Sequence, residues 1–226
     1  MAYIKDKISS LINELPQRVT LVAVTKTHPP KMIMEAYDAG HRVFGENKVQ
    51  EMVGKSEVLP KDIEWHMVGH LQSNKVKYIA PFVSLIHSID SLKLLIEVNK
   101  QASKCGRVIN CLLQMHIAEE ETKFGLSFDE IVEILNSNEY KALNNISLLG
   151  LMGMATFTDD MEQVRKEFRG LSNTFKQIKN TFFPTNDSFK ILSMGMSSDY
   201  KVAIEEGSSM IRVGSIIFGE RIYGAN

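Results

Sequence analysis

The 226-residue chain is predicted to fold as a single closed (β/α)8 barrel with an extra N-terminal helix, one domain over residues 1–226. Three observations predict this. Apolar runs of about 4–8 residues recur along the chain, each followed by helical periodicity. The runs are apolar throughout rather than alternating, as expected of parallel strands covered on both faces. No linker rich in Pro, Gly or Ser divides the chain, and the turn after the first strand, Thr25-Lys26-Thr27-His28-Pro29-Pro30, lacks the Gly-rich fingerprint of an open doubly wound sheet.

Taken in order, Met1–Leu15 is charged and periodic, unlike a signal peptide, and reads as a helix with Ile4, Ile8, Leu11 and Ile12 facing inward. Eight strands follow, expected at Leu21–Lys26, Arg42–Glu46, Glu64–Leu71, Val83–Ile89, Val108–Ile117, Ile146–Ala155, Ile191–Met196 and Met210–Phe218. Between them, Ser91 can cap a helix carrying Leu92, Leu95, Ile96 and Val98 that stops at Gly106. Ser127 and Glu130 form a capping-box pattern ahead of Ile131, Ile134 and Leu135. Met161, Val164, Phe168, Leu171, Phe175 and Ile178 alternate steps of three and four, which makes them the core-facing stripe of a long helix. Thr181–Ser188 reads as a surface loop.

Composition narrows the function. With 44% apolar and 23% charged residues the chain can build a sizeable core. A formal net charge of -1, without a basic block interleaved with aromatics, argues against nucleic acid as a partner. Runs such as Leu112–Met115 and Ile146–Met154 are too short or too broken by glycine to span a bilayer, so a cytoplasmic protein without membrane attachment is expected. Cys105 and Cys111 have no CxxC spacing and read as reduced, structural thiols. His66 and His70 share the i, i+4 spacing of a metal pair but lie in a strand pattern, so no metal site is expected.

In such a barrel the chemistry collects where the strands end. The first strand ends at Lys26 after five residues of mostly apolar sequence, Leu21-Val22-Ala23-Val24-Thr25. Desolvation there would disfavour the ammonium and make the amine a nucleophile toward an aldehyde; the plainer reading is a lysine that snorkels outward or pairs with Glu46. Exits seven and eight, Ser193-Met194-Gly195-Met196-Ser197-Ser198 and Arg212-Val213-Gly214-Ser215, carry small and hydroxyl residues where barrels commonly hold phosphate. Ser197 and Ser198 could equally cap the short helix through Tyr200, Val202 and Ile204. Arg212, in an apolar strand, needs a partner: either a carboxylate such as Glu205 or Glu220, or a ligand atom. His66 and His87 read as satisfied core residues, His28 as a rim group, and His70 as the best candidate for a functional imidazole.

At these positions the chain resembles a known family. Val22-Ala23-Val24-Thr25-Lys26, Phe44-Gly45-Glu46-Asn47, His66 through Lys75, Leu192 through Tyr200 and Ile211 through Gly219 look like the signature blocks of the pyridoxal phosphate homeostasis protein family, which is similar to the TIM-barrel N-terminal domain of alanine racemase. The likeness runs from about residue 4 to 222. It implies pyridoxal 5'-phosphate (PLP) as cofactor and Lys26 as its Schiff-base lysine. It further implies Asn47 near the ring hydroxyl, Ser193, Ser197, Gly214 and Ser215 around the phosphate, and Arg212 at the pyridine nitrogen. Gln114 and Lys123-Phe124-Gly125 resemble a family rim segment, although Met115-His116 departs from it.

The resemblance implies a carrier that limits free PLP and passes it to apo PLP-dependent enzymes. The alternative is a PLP-dependent amino-acid racemase with Lys26 as its single base; a weaker third reading is a sugar-phosphate aldolase-type barrel. Racemases of this type take a second base, a tyrosine, from a C-terminal β domain in a dimer. This chain ends eight residues after the last expected strand, which favours the carrier, and a monomer.

Overall fold

The computed structural model describes residues 3–119 and 124–219. Helix α1 (Ile4–Glu14) precedes β1 (Thr20–Val24), α2 (Pro30–Asp38), β2 (Val43–Glu46), α3 (Val49–Val58) and β3 (Glu64–Met67). A 3-10 turn at Ser73–Lys75 leads into the one-turn helix α4 (Val76–Ile79), then β4 (Leu85–Ile89), α5 (Leu92–Lys104) and β5 (Ile109–His116). Next come α6 (Phe128–Asn136), α7 (Asn138–Lys141), β6 (Ile146–Met154) and the long α8 (Met161–Phe182). The described chain closes with β7 (Ile191–Ser193), α9 (Tyr200–Glu205), β8 (Met210–Val213) and α10 (Ser215–Phe218).

The strands pair in parallel in sequence order, and β8 returns to β1 through the register Val22↔Arg212, so the sheet is the expected closed eight-stranded barrel. Alternation along each strand sorts side chains into two cores. Val22, Val24, Val68, Leu85, Leu112, Met152 and Met210 fill the barrel interior, while Ala23, Phe44, Trp65, Met67, Leu113, Leu151, Ile211 and Val213 face the helices. Phe44 and Glu46 thus point outward, and Gly45 inward against Val22 and Val68.

The helix stripes follow the same physics. The capping box of Ser127 and Glu130 is formed, the Ser91 hydroxyl caps α5 by accepting from the Leu94 amide, and the α8 stripe packs on the sheet. One expected inward residue faces out: Ile12 is 43% exposed. On α1 the face centres on Ile4, Ile8 and Leu11, and Ile12 sits about 80° round from Ile4, on its flank. Several strands end earlier than expected. The last stops at Val213, because Gly214 turns the chain into α10 instead of continuing to Phe218. Thr181 and Phe182 extend α8 rather than starting a loop. Among the described residues no helix is long and apolar enough to cross a membrane, and no cluster of three or more metal-ligating side chains occurs.

Candidate functional site

A cavity of about 490 Å³ opens at the carboxyl ends of the strands, a volume suited to a small cofactor. Strand parity brings its chemistry together: with Val22 and Val24 inward and Ala23 and Thr25 outward, Lys26 turns into the mouth. Asn47 arrives the same way from β2, and Arg212 and Gly214 from β8. Ser197 and Ser215 complete the set, so six of the seven expected positions line one cavity. Val24, Val68, Met154, Phe157, Met196 and Ile216 supply its apolar walls.

The wall is built for an anion. Its charged side chains among the described residues are Lys26 and Arg212, both cationic. The backbone N–H groups of Ser197, Ser198, Ser215 and Ile216 have no backbone or side-chain acceptor among the described residues, so four amides and three hydroxyls converge on one corner. Gly195 at φ 98° makes the bend that brings this loop in; an added Cβ would lie 2.6 Å from the Ala203 Cβ. The two loops are tied by the Gly214 N–H donating to Ser197 Oγ at 3.3 Å. Ser197 and Ser198 do not cap α9. Asp199 is the N-cap residue, and its carboxylate accepts from the Met196 amide at 2.5 Å.

Arg212 is 4% exposed, and its partners are not the expected carboxylates. It donates to the Ser193 carbonyl at 2.9 Å, the Ser193 hydroxyl at 2.7 Å and the Gly153 carbonyl at 3.0 Å. Glu205 is engaged by Arg165 instead, and Glu220 lies outside the described residues. Burial lowers the Arg212 pKa to about 10, with Asp199 acting the other way, so the guanidinium stays charged at neutral pH. Three acceptors for five N–H donors leave capacity toward the cavity.

Ser193 is the exception among the expected site residues. It is fully buried beneath the cavity and does not line it. Its hydroxyl lies 3.0 Å from His87 Nδ1, and His87 Nε2 lies 3.0 Å from His66 Nδ1. A polar chain thus runs through the barrel interior from Arg212 to His66 and fixes the guanidinium from below. The sequence marked His66 and His87 as satisfied core residues, but nothing in it revealed that four different strands would bring these residues into one chain.

The two histidines must stay neutral there. Burial lowers the His66 pKa to about 3 and holds His87 well below its ordinary value. An unfolded histidine takes up its proton near pH 6.5, so this stabilisation is intact above that pH and is lost as pH falls toward the folded value. At 1.36 kcal/mol per unit, acidification to pH 5 removes about 2 kcal/mol at His66, and His87 acts in the same direction. Glu46, whose pKa burial raises, opposes the trend. Denaturant unfolding should therefore show a lower stability at pH 5 than at pH 7, with His66 accounting for about 2 kcal/mol of the loss. An unchanged midpoint with an unchanged slope would contradict the neutral buried pair.

Glu46 is not the partner of Lys26. It faces the helix layer, where Lys55 and the Thr25 hydroxyl each reach Oε1 at 2.5 Å. His28 lines the cavity and packs against Phe218. His70 does not line the cavity; it pairs with Asp90 at 3.1 Å and stacks on Phe124 at 4.0 Å. Gln114 holds the same rim by donating to the Phe124 carbonyl at 2.9 Å, whereas Lys123 lies outside the described residues. Phe157, two residues beyond the expected end of the sixth strand, had no sequence signal as a wall residue.

Comparison with known proteins matches residues 1–222 to the family described as alanine racemase, N-terminal domain. The chain is 42% identical over 205 residues to the pyridoxal phosphate homeostasis protein of Aquifex aeolicus, covering 90% of this chain and 87% of that one. It is 37% identical over 227 residues to the protein of the same name from Helicobacter pylori strain 26695, covering 96% and 98%. Among solved structures, PipY of Synechococcus elongatus PCC7942 with PLP bound superposes with a TM-score of 0.86 at 34% identity, over 96% of this chain and all of that one.

Proposed function

Because the chain belongs to the pyridoxal phosphate homeostasis protein family, within the alanine racemase N-terminal domain family, we propose that it binds PLP in this cavity, holds it reversibly on Lys26 and buffers the cofactor rather than turning over a substrate. The reading is carried by one arrangement: a primary amine, a buried guanidinium and a corner of backbone amides and hydroxyls share a single wall. When bound, PLP supplies an aldehyde that condenses with one amine, a carbon–nitrogen bond forming as the carbonyl oxygen leaves in water. The phosphate then suits Ser197, Ser215 and the amides beside them, with Gly214 allowing close approach. Asn47 serves the ring hydroxyl. Arg212 would donate to the ring nitrogen and, being charged, would leave that nitrogen unprotonated, which would make the ring a poor sink for carbanion electrons. Ser193 supports Arg212 from below instead of touching the phosphate.

Several features support carriage over catalysis. The relatives are named for homeostasis rather than for a reaction. The cavity is open at its mouth, where water would protonate a carbanion unselectively, and the exposed Phe157 stands at its edge. In this reading the chain acts as one barrel domain over residues 1–226, as a monomer in the cytoplasm, and its partners are PLP and the apo-enzymes that receive it.

The purified protein incubated with PLP should show the visible absorbance of a covalent lysine adduct, and borohydride should fix the label on the peptide carrying Lys26. The loaded protein held with L-alanine in deuterium oxide should exchange slowly and without inversion. Inversion at ordinary enzymatic turnover, ~1 s⁻¹ or faster, would establish a racemase and overturn the carrier.

A further inference from the structure

Lys26 stands between two residues that a buried ion cluster grips from behind. On its amino side, Thr25 is fully buried: its hydroxyl donates to Glu46 Oε1 at 2.5 Å and its carbonyl accepts from Lys55 Nζ at 2.8 Å. On its carboxyl side, the Thr27 amide donates to Glu51 Oε2 at 2.8 Å. Lys55 joins the two halves, donating to Glu46 Oε1 at 2.5 Å and to Glu51 Oε2 at 3.3 Å. Its three N–H groups are then all engaged, so it acts as a fixed post and not as a second nucleophile.

Thr27 has φ 67°, and it alone among the described non-glycine residues has a positive φ. For a β-branched residue that conformation is a true outlier, and it persists only where neighbours enforce it. The Glu51 carboxylate, itself held by Lys55, shares this enforcement with the turn bond from the His28 amide to the Thr25 carbonyl at 3.0 Å. If Thr27 relaxed to negative φ, the chain after β1 would leave at another angle and carry the Lys26 side chain with it.

We propose that Glu51, backed by Lys55 and Glu46, is a positioning residue that holds Thr27 in its left-handed conformation and so aims the Lys26 amine into the cavity. The proposal rests on Lys26 being the amine that captures an aldehyde. The cluster touches neither cavity nor cofactor; it lies on the helix side of the strand whose other side bears the site.

The test measures how fast apo protein gains the adduct absorbance on rapid mixing with PLP. Glu51→Ala should slow capture on the order of tenfold, the factor that about 1.4 kcal/mol of misplacement commands. Adding Thr27→Gly should restore the rate to within about threefold of wild type, because glycine takes a positive φ without steric cost. A role confined to stability predicts no such rescue. Thermal melts accompany each variant, and if Glu51→Ala fails to fold, Glu51→Asp, which withdraws the acceptor by one methylene, is read by the same criteria. Capture at the wild-type rate without Glu51, or a Thr27→Gly double variant that folds yet stays slow, overturns the proposal. Borohydride labelling of wild type is the control: absence of label on Lys26 would refute the reading of the site, whereas labelled wild type with indifferent variants refutes only the positioning role.

Discussion

Lys26→Ala abolishes borohydride-fixed PLP and the visible adduct absorbance, while the protein unfolds at nearly the wild-type denaturant midpoint. The two halves of this expectation have separate causes. Loss of label follows because an imine needs a primary amine, and the cavity wall offers one among its described residues. Retention of stability follows because the side chain projects from a strand end into a cavity instead of packing in either core. Substitutions at such positions typically change stability within about 0.5 kcal/mol. The phosphate corner and Arg212 remain intact, so the variant should still bind PLP non-covalently and release it on gel filtration. Mass spectrometry of the reduced, digested protein checks the first half and a urea titration the second. Persistent label in the variant would move the covalent site elsewhere, with Lys48 and Lys75 next to be replaced.

How far this site was legible before the structure depended on distance along the chain. Lys26 was legible as the last residue of an apolar strand, whereas the roles of Asn47, Arg212 and Gly214 came from the family resemblance; in the structure, parity decides which face each takes. Ser193 shares that parity, yet its depth does not follow from it. The residue sits one layer below the cavity, where Arg212 and His87 occupy its hydroxyl. The grip on Lys26 was harder still. Glu51 and Lys55 belong to the helix after β2, and an i, i+4 acid and base on a helix ordinarily form an exposed pair of little consequence. Only the packing of that helix against the end of β1 turns the pair inward. The left-handed Thr27 carries no sequence mark at all, since threonine is among the last residues expected there.

The fold was more legible than its boundaries. Eight apolar runs of the right length, separated by capped helices, leave few topologies that hide every edge, and closure follows. The errors cluster at carboxyl ends, where strand residues were expected to continue through Met196 and Phe218. There, small residues leave the ladder to make the bends and one-turn helices that shape the anion corner. The hydrophobic pattern does not register that departure, because Met194 and Ile217 remain buried against helices after the strand has ended.

Gly150→Ala should be the most damaging single-methyl change in the barrel. The residue sits in β6 at φ 154°, where the pairing of β5 with β6 slips by one residue between Cys111 and Leu112. Gly150 there pairs with Ile191 of β7, and an added Cβ would lie 1.7 Å from the Ile191 carbonyl oxygen. Nothing flexible can yield, since the obstacle is the backbone of the neighbouring strand. Two penalties combine: a positive φ forced on an L-residue, about 1–3 kcal/mol, and overpacking that must separate paired strands, again about 1–3 kcal/mol. A total near 4 kcal/mol would consume much of the stability of an ordinary domain. Local relaxation would also reach the cofactor, because β7 carries Ser193, on which Arg212 rests, and runs on into the Gly195–Ser198 loop. The variant should therefore melt far below wild type, and whatever remains folded should lose PLP retention together with its stability. A control at Gly170, where an added Cβ meets nothing within 4 Å, should leave both intact. If Gly150→Ala melts with the Gly170→Ala control, then β6 and β7 do not approach as closely as the barrel requires, and the placing of Ser193 beneath Arg212 fails with them.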